Sequence, residues 1–223
     1  MTTLADLRDR VEAQLVDTGN AIWTTTVIDE ALRQSLALYS AVNPQRLNTT
    51  VTLASATREV DISGIAGLTD VLEVWLPYTA ASPEYPPNRR SFEHWYDAQV
   101  IYLPVGDEPS ASDVARVFYG KPQALQDLDG ATATTLPPTD ESLIVTGASG
   151  FAAISRSIDL AEQVTVGRGD AGNIERWGQA RIAEFEAGLE DVATRIAATT
   201  TNAHVQILPN DRFAGRDGGS GWR

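Results

Sequence analysis

Leu4, Leu7, Val11 and Leu15 recur at steps of three and four residues, the spacing that lines one face of a helix. Thr3 stands at the N-cap position with Asp6 three residues on, a capping-box-like start. Asp17-Thr18-Gly19-Asn20 stops this first helix. A second begins near Trp23-Thr24-Thr25 and carries Ile28, Ala31, Leu32, Leu36, Tyr39 and Val42 on its apolar side. Asn43-Pro44 ends it, because the residue before a proline is pushed out of the helical region.

The period then changes. Thr50–Leu53 and Arg58–Ile62 alternate polar and apolar positions on either side of Ala54–Thr57, which predicts a hairpin. Beyond Gly64 and Gly67, Val71-Leu72-Glu73-Val74-Trp75-Leu76 predicts a strand buried on both faces. Pro77, Pro83, Pro86 and Pro87 make residues 77–91 a long surface loop. Two more strands are expected at Gln99–Leu103 and Val114–Tyr119, and Gln126–Pro138 reads as a Thr/Ala-rich linker.

A helical period returns after Thr139, a predicted N-cap with Asp140 and Glu141 well placed against the N-terminal dipole. Ile144, Gly147, Phe151, Ile154, Ile158 and Ala161 form its stripe, and the glycines of Val164–Gly172 break it. The last helix carries Ile174, Trp177, Phe185, Leu189, Val192 and Ile196. Amphipathic helices at both ends of a chain must bury their stripes, and packing them on each other does so most simply. The expected class is therefore α+β, with a four-helix core from N- and C-terminal helix pairs, an inserted antiparallel β module and an extended C-terminal tail. The divisions are residues 1–44 for the first helix pair, 45–125 for the β module, 126–138 for the linker, 139–198 for the second helix pair and 199–223 for the arm.

Composition narrows the chemistry. With 223 residues, 43% hydrophobic and 21% charged, the chain is long enough for one good core and ordinary for a globular protein. Its longest uncharged apolar run, Leu143–Ile154, is too short to span a bilayer, so no membrane partner is expected. Met1–Asp6 lacks the basic and apolar regions of a signal peptide. There is no cysteine, which removes thiolate chemistry, disulfides and Cys-based zinc sites. Only His94 and His204 are present, so neither a metal nor a cofactor is expected.

The net charge is −13, and Lys121 is the only lysine. A broad grip on nucleic acid needs clustered cations, which this balance does not provide. An acidic surface suits a channel through which DNA slides without sticking. Residues 204–223 differ, carrying Arg212, Arg216 and Arg223 against Asp211 and Asp217. That weakly basic, glycine-rich tail reads as an arm that grips a partner, the alternative being a tail folded back on its own domain.

Leu143-Ile144-Val145-Thr146-Gly147-Ala148-Ser149-Gly150-Phe151 looks like the TGxxGxxG turn of short-chain dehydrogenases. The context fails: the third glycine position is Ala153, a helix start precedes it, and no Tyr-x-x-x-Lys pair exists with valine at position 117. Read as a helix, Gly147, Ala148 and Gly150 let another helix approach closely. His94 lies in Phe92-Glu93-His94-Trp95-Tyr96-Asp97, which suggests either a pocket with a general base or aromatics packing the module's edge; the second reading is favoured. Glu12, Asp17, Asp29 and Glu30 read as solvated charges. Glu184, Glu186, Glu190 and Asp191 form an acidic helix face suited to lining a channel. No constellation asks for catalysis, and a non-enzyme is expected.

The order of these patterns resembles the head-to-tail adaptor (connector) proteins of tailed bacteriophages over nearly the full chain. It runs from Leu4–Val11 through Trp23-Thr24 and Leu38-Tyr39-Ser40, the Thr-rich stretch Thr49–Ile62 and the Val71–Tyr78 strand. It continues through Leu125–Pro137 and the helix at Glu141–Glu162. The resemblance implies a structural virion protein of the neck, made in the host cytoplasm and carrying no catalytic residues. It implies a ring, usually of twelve copies, beneath the portal, joining the DNA-filled head to the next tail component and letting genomic DNA pass without specific binding. Arms of such proteins reach into the portal, which agrees with the reading of the tail. Val205, Gln206, Ile207 and Leu208 would add a strand to a partner's sheet edge, and Phe213 and Trp222 would anchor as aromatics. Two alternatives stand beside this: a minor tail protein or binding module using the β module, and, more remotely, a nucleotide-dependent oxidoreductase.

Overall fold

The computed structural model describes residues 2–17, 19, 21–82, 87–104, 106, 109–162 and 168–205. Among them, α1 (Leu4–Leu15) and α2 (Thr25–Val42) precede β1 (Gln45–Thr52), β2 (Glu59–Asp61), β3 (Asp70–Trp75), β4 (Arg89–Arg90), β5 (Glu93–Trp95), β6 (Val100–Tyr102) and β7 (Val114–Lys121). A 3₁₀ turn (Pro138–Asp140), α3 (Glu141–Glu162) and α4 (Arg168–Val205) come after them. The class is α+β, and every strand pair is antiparallel.

Helix α1 opens on the expected capping box, with the Asp6 N–H donating to Thr3 Oγ1 and the Thr3 N–H to the Asp6 carboxylate. It closes on Val16 at φ 55°, a left-handed position unfavourable for a β-branched side chain that is here 88% exposed. Val16→Gly is expected to stabilise the fold by about 1 kcal/mol. Thermal unfolding would read this as a rise of roughly 2–4 °C in Tm. A fall would mean that the valine's contacts outweigh its strain.

Three carboxylates expected to be solvated are not. Asp17 is buried and accepts from the backbone N–H groups of Ala21, Ile22 and Trp23 at 3.0, 2.8 and 2.8 Å. The Trp23 N–H foremost, against desolvation, and then those of Ile22 and Ala21 hold its carboxyl below the usual carboxylate range. Asp29 pairs with Arg8 at 2.6 Å, and Glu12 is buried. Glu30 stays exposed, 3.2 Å from Arg33.

The larger hydrophobic core draws on Leu7 and Val11 of α1, Ile28, Leu32 and Tyr39 of α2, Ile144 and Ala148 of α3, and Phe185 and Val192 of α4. Leu125, Leu128 and Leu136 join it. The segment expected to be a linker is therefore part of the core. Gln126 bridges to Thr3, the Leu4 N–H donates to Gln126 O at 3.0 Å, and Asp127, Asp129 and Gly130 turn the chain through positive φ. Thr139 is not an N-cap; its hydroxyl donates to Asp140 at 3.1 Å. With its 3₁₀ start, α3 is long and apolar enough to cross a membrane, yet it packs against α1, α2 and α4 and its apolar side is core.

The strands form two sheets, ordered β1-β7-β3-β4 and β2-β6-β5, around a second core of Val60, Val71, Val74, Ile101, Ala115 and Val117. The expected hairpin between Thr50–Leu53 and Arg58–Ile62 does not form. Instead β1 pairs with β7 and β2 with β6, so the intervening loop carries the chain from one sheet to the other. Nor is β3 buried on both faces, since Leu72 is 41% exposed. A bulge at Leu72, where the pairing with β7 shifts between Val71 and Glu73, lets two valines three residues apart both face the core.

Candidate functional site

Helix α4 is the element that carries most of the candidate residues. It crosses α3 where Gly150 meets Gly178: a Cβ on either would lie 3.0 Å from the other's carbonyl oxygen. A Cβ on Gly147 would lie 2.9 Å from the Phe185 ring and from Ser35 Oγ. The dehydrogenase-like Leu143–Phe151 motif is helical throughout, and its glycines admit α4, as the helical reading expects. Toward its far end, α4 is tied to the core by Arg195, which donates to buried Asp140 at 2.7 and 2.9 Å. Asp140 also accepts from Tyr39 Oη at 2.5 Å, and Tyr39 Oη accepts from the Asn43 side chain at 2.7 Å. Asn43 lies two residues before β1, so one polar chain links α4, the start of α3, the end of α2 and the root of the β module.

The helix continues to Val205, past the end expected near Ala198. Val205, expected in an extended strand, is the last residue of α4. Gln206, Ile207, Leu208, Phe213 and Trp222 lie outside the described residues. Glu184, Glu186, Glu190 and Asp191 are all exposed, but they do not share one face. At 3.6 residues per turn, Glu184 and Asp191 fall on one flank and Glu186 and Glu190 on the other, with exposed Ala180, Ala183, Ala187 and Thr194 between. Arg181 pairs with Glu184 at 2.7 Å. The surface is thus a smooth strip bordered by two acidic rows.

A second feature has no counterpart in the sequence reading. On the outward face of the four-stranded sheet, the Arg116 guanidinium lies 5.6, 4.9 and 5.3 Å from the ring centres of Trp75, Tyr78 and Phe118. It also donates to Tyr78 Oη at 2.7 Å and to Asn48 Oδ1 at 2.9 and 3.1 Å. Beside it, Arg46, Asn48, Leu72, Glu73 and Phe118 border an open groove of about 530 Å³. The two-residue spacing of Arg116 and Phe118 is the signal that could have found it, but which face of β7 they share depends on the pairing of β1 and β3.

His94 sits on β5 opposite Ile101, its ring 4.1 Å from that of Tyr96. Both ring nitrogens are buried, and neither has a hydrogen-bond partner among the described residues. Among the described residues no proton relay reaches it, which fits the packing reading better than a general base. Among the described residues, no group of three His, Cys, Asp or Glu side chains could hold a metal. No protein-family model matches the chain, and neither does any curated protein sequence.

Proposed function

We propose that the chain is a structural virion protein, a head-to-tail adaptor that forms a ring beneath the portal. In this reading the four helices form one core and the ring wall, α4 runs along the DNA channel, and the β module meets the next tail component. Residues 206–223 reach the portal. The observation that carries the proposal is the construction of α4. Glycines seat it on α3, exposed acids line both flanks between Glu184 and Asp191, Arg195 locks it to Asp140, and it then runs on to Val205. Between Ala180 and Thr194 the exposed strip itself carries no cation, and its acidic borders repel DNA phosphates, which suits passage.

The test is ring formation on purified portal by full-length protein and by a version ending at Val205, the last residue of α4. Mass photometry and cryo-electron microscopy should show a stoichiometric ring with the full chain only. No binding by either protein would sink the adaptor reading. Reversing one acid row (Glu186→Lys with Glu190→Lys) should leave the ring intact and slow DNA ejection, read by dye release. Unchanged ejection would place those acids away from the channel.

A second reading, a binding module, is favoured by the Arg116 cluster and its groove. Arg116→Ala would then abolish capture of the distal partner while leaving portal binding untouched.

A further inference from the structure

Strand β1 is an edge of the four-stranded sheet, and its outer side is bare. The Leu53 N–H donates to Asp113 O at 2.9 Å, and Val114 O and Gly120 O accept from Tyr78 and Thr69 on the opposite side of β7. Antiparallel alternation then points the backbone groups of Arg46, Asn48, Thr50 and Thr52 away from β7. Among the described residues no hydrogen bond meets them. The edge also lacks the usual protection. Its pairing with β7 runs unbroken over eight residues, and no proline, lysine or bulge interrupts it. The opposite edge, β4, is only two residues long. Leu47 and Val51 on the inner face remain half-buried because the core is open on this flank.

We propose that this edge accepts the segment Gln206-Ile207-Leu208 of a second copy of the chain, added as a fifth strand. The bond chain from Arg195 through Asp140 and Tyr39 to Asn43 sets α4 beside the root of β1. From Arg195 the helix runs ten more residues, about 15 Å. Within its own copy α4 packs chiefly on α3 and α2. Gln206-Ile207-Leu208 carries no charge against a strand whose single ionisable residue is Arg46. Ile207 would extend the apolar flank beside Leu47 and Val51, and Pro209, with no N–H to give, ends the strand. The joint stands independently of the adaptor reading. Under that reading it links neighbours in the ring and leaves Phe213 and Trp222 for the portal.

The absence of cysteine makes the test direct. Copies bearing Asn48→Cys or Thr50→Cys are mixed, under mild oxidation, with size-tagged copies bearing Gln206→Cys, Ile207→Cys or Leu208→Cys. A disulfide-linked pair of unlike copies is expected for at least one combination. It should disappear when Thr50→Pro is added to the Asn48→Cys copy, since that change removes an outward N–H that the pairing with β7 does not use. As a second reading, hydrogen exchange at the Asn48 and Thr50 amides of concentrated full-length protein should be slower than in full-length Ile207→Asp by on the order of tenfold. Absence of any cross-link between copies would overturn the proposal. So would a link formed only within one doubly substituted copy, one that survives Thr50→Pro, or exchange rates indifferent to Ile207→Asp.

Discussion

Gly178→Val is expected to lower the stability of the fold by about 3 kcal/mol, at the upper end of what overpacking costs. A Cβ there would lie 2.9 Å from Ile154 Cγ1, 3.0 Å from Gly150 O and 3.2 Å from Ala153 Cβ. Ile154 can change rotamer, but the Gly150 carbonyl is held in the α3 ladder, so the helices themselves must part. Valine adds two further methyls and a stiff χ1 to that crowding. In thermal unfolding the loss would read as a fall of roughly 6–12 °C. Gly178→Ala separates the opposing effects, because alanine gains about 1 kcal/mol of helix propensity while still meeting the carbonyl. Its net change should be a smaller loss. Gly172→Ala is the control, since nothing described lies within 4 Å of the added carbon. It should raise Tm, by propensity alone. If all three substitutions responded alike, the close approach of α3 and α4 would not be what holds α4 in place.

The helices were legible because their periods are local. Leu4, Leu7, Val11 and Leu15 reach the core whatever else the chain does, and all four are buried. The Gly147 and Gly150 signal was also readable, since small residues on an apolar stripe mean one thing when the partner is another helix. The β module was legible in its strands but not in its pairing. β1 and β2 are neighbours in sequence with a short intervening loop, and that proximity favours a hairpin. Their true partners, β7 and β6, lie far along the chain, and no local pattern names them. The Arg116 cluster was hidden for the same reason. Asp140 and Asp17 were obscured by a different route. An acidic residue near a helix end looks solvated or dipole-placed until its partners are known: Tyr39 and Arg195 for one, three backbone N–H groups for the other. The acids of α4 were legible as exposed, and their split into two rows follows from their spacing alone, which the reading as a single acidic face overlooked.

Asp140→Ala should cost about 2–4 kcal/mol, and its pH profile should distinguish lost bonding from lost packing. The carboxylate is buried, with a buried tyrosine on one side and Arg195, 55% exposed by its side chain, on the other. Removing it leaves the Tyr39 hydroxyl without its acceptor, which carries the larger part of the loss. The guanidinium can turn to water, so its share is small. Desolvation pushes the Asp140 carboxyl up, but the bonds from Tyr39, Arg195 and Thr139 outweigh it and hold the group below its ordinary value of 3.8. A depressed folded value stabilises above the unfolded value and is lost as pH falls through the folded one. The gap between wild type and Asp140→Asn should therefore be full at neutral pH and shrink below about pH 4. Tyr39 supplies the opposite limb. Burial, then its bond to Asp140, raises its hydroxyl to about 12. That stabilisation is full below about pH 10 and is lost as pH climbs toward the folded value, so Tyr39→Phe should flatten the alkaline fall. Hydrogen exchange then connects the network to the arm. If Asp140 and Arg195 anchor the end of α4, Asp140→Ala should speed exchange from Arg195 to Val205 far more than around Gly178. Uniform acceleration along α4 would reduce the network to an ordinary contribution to the core.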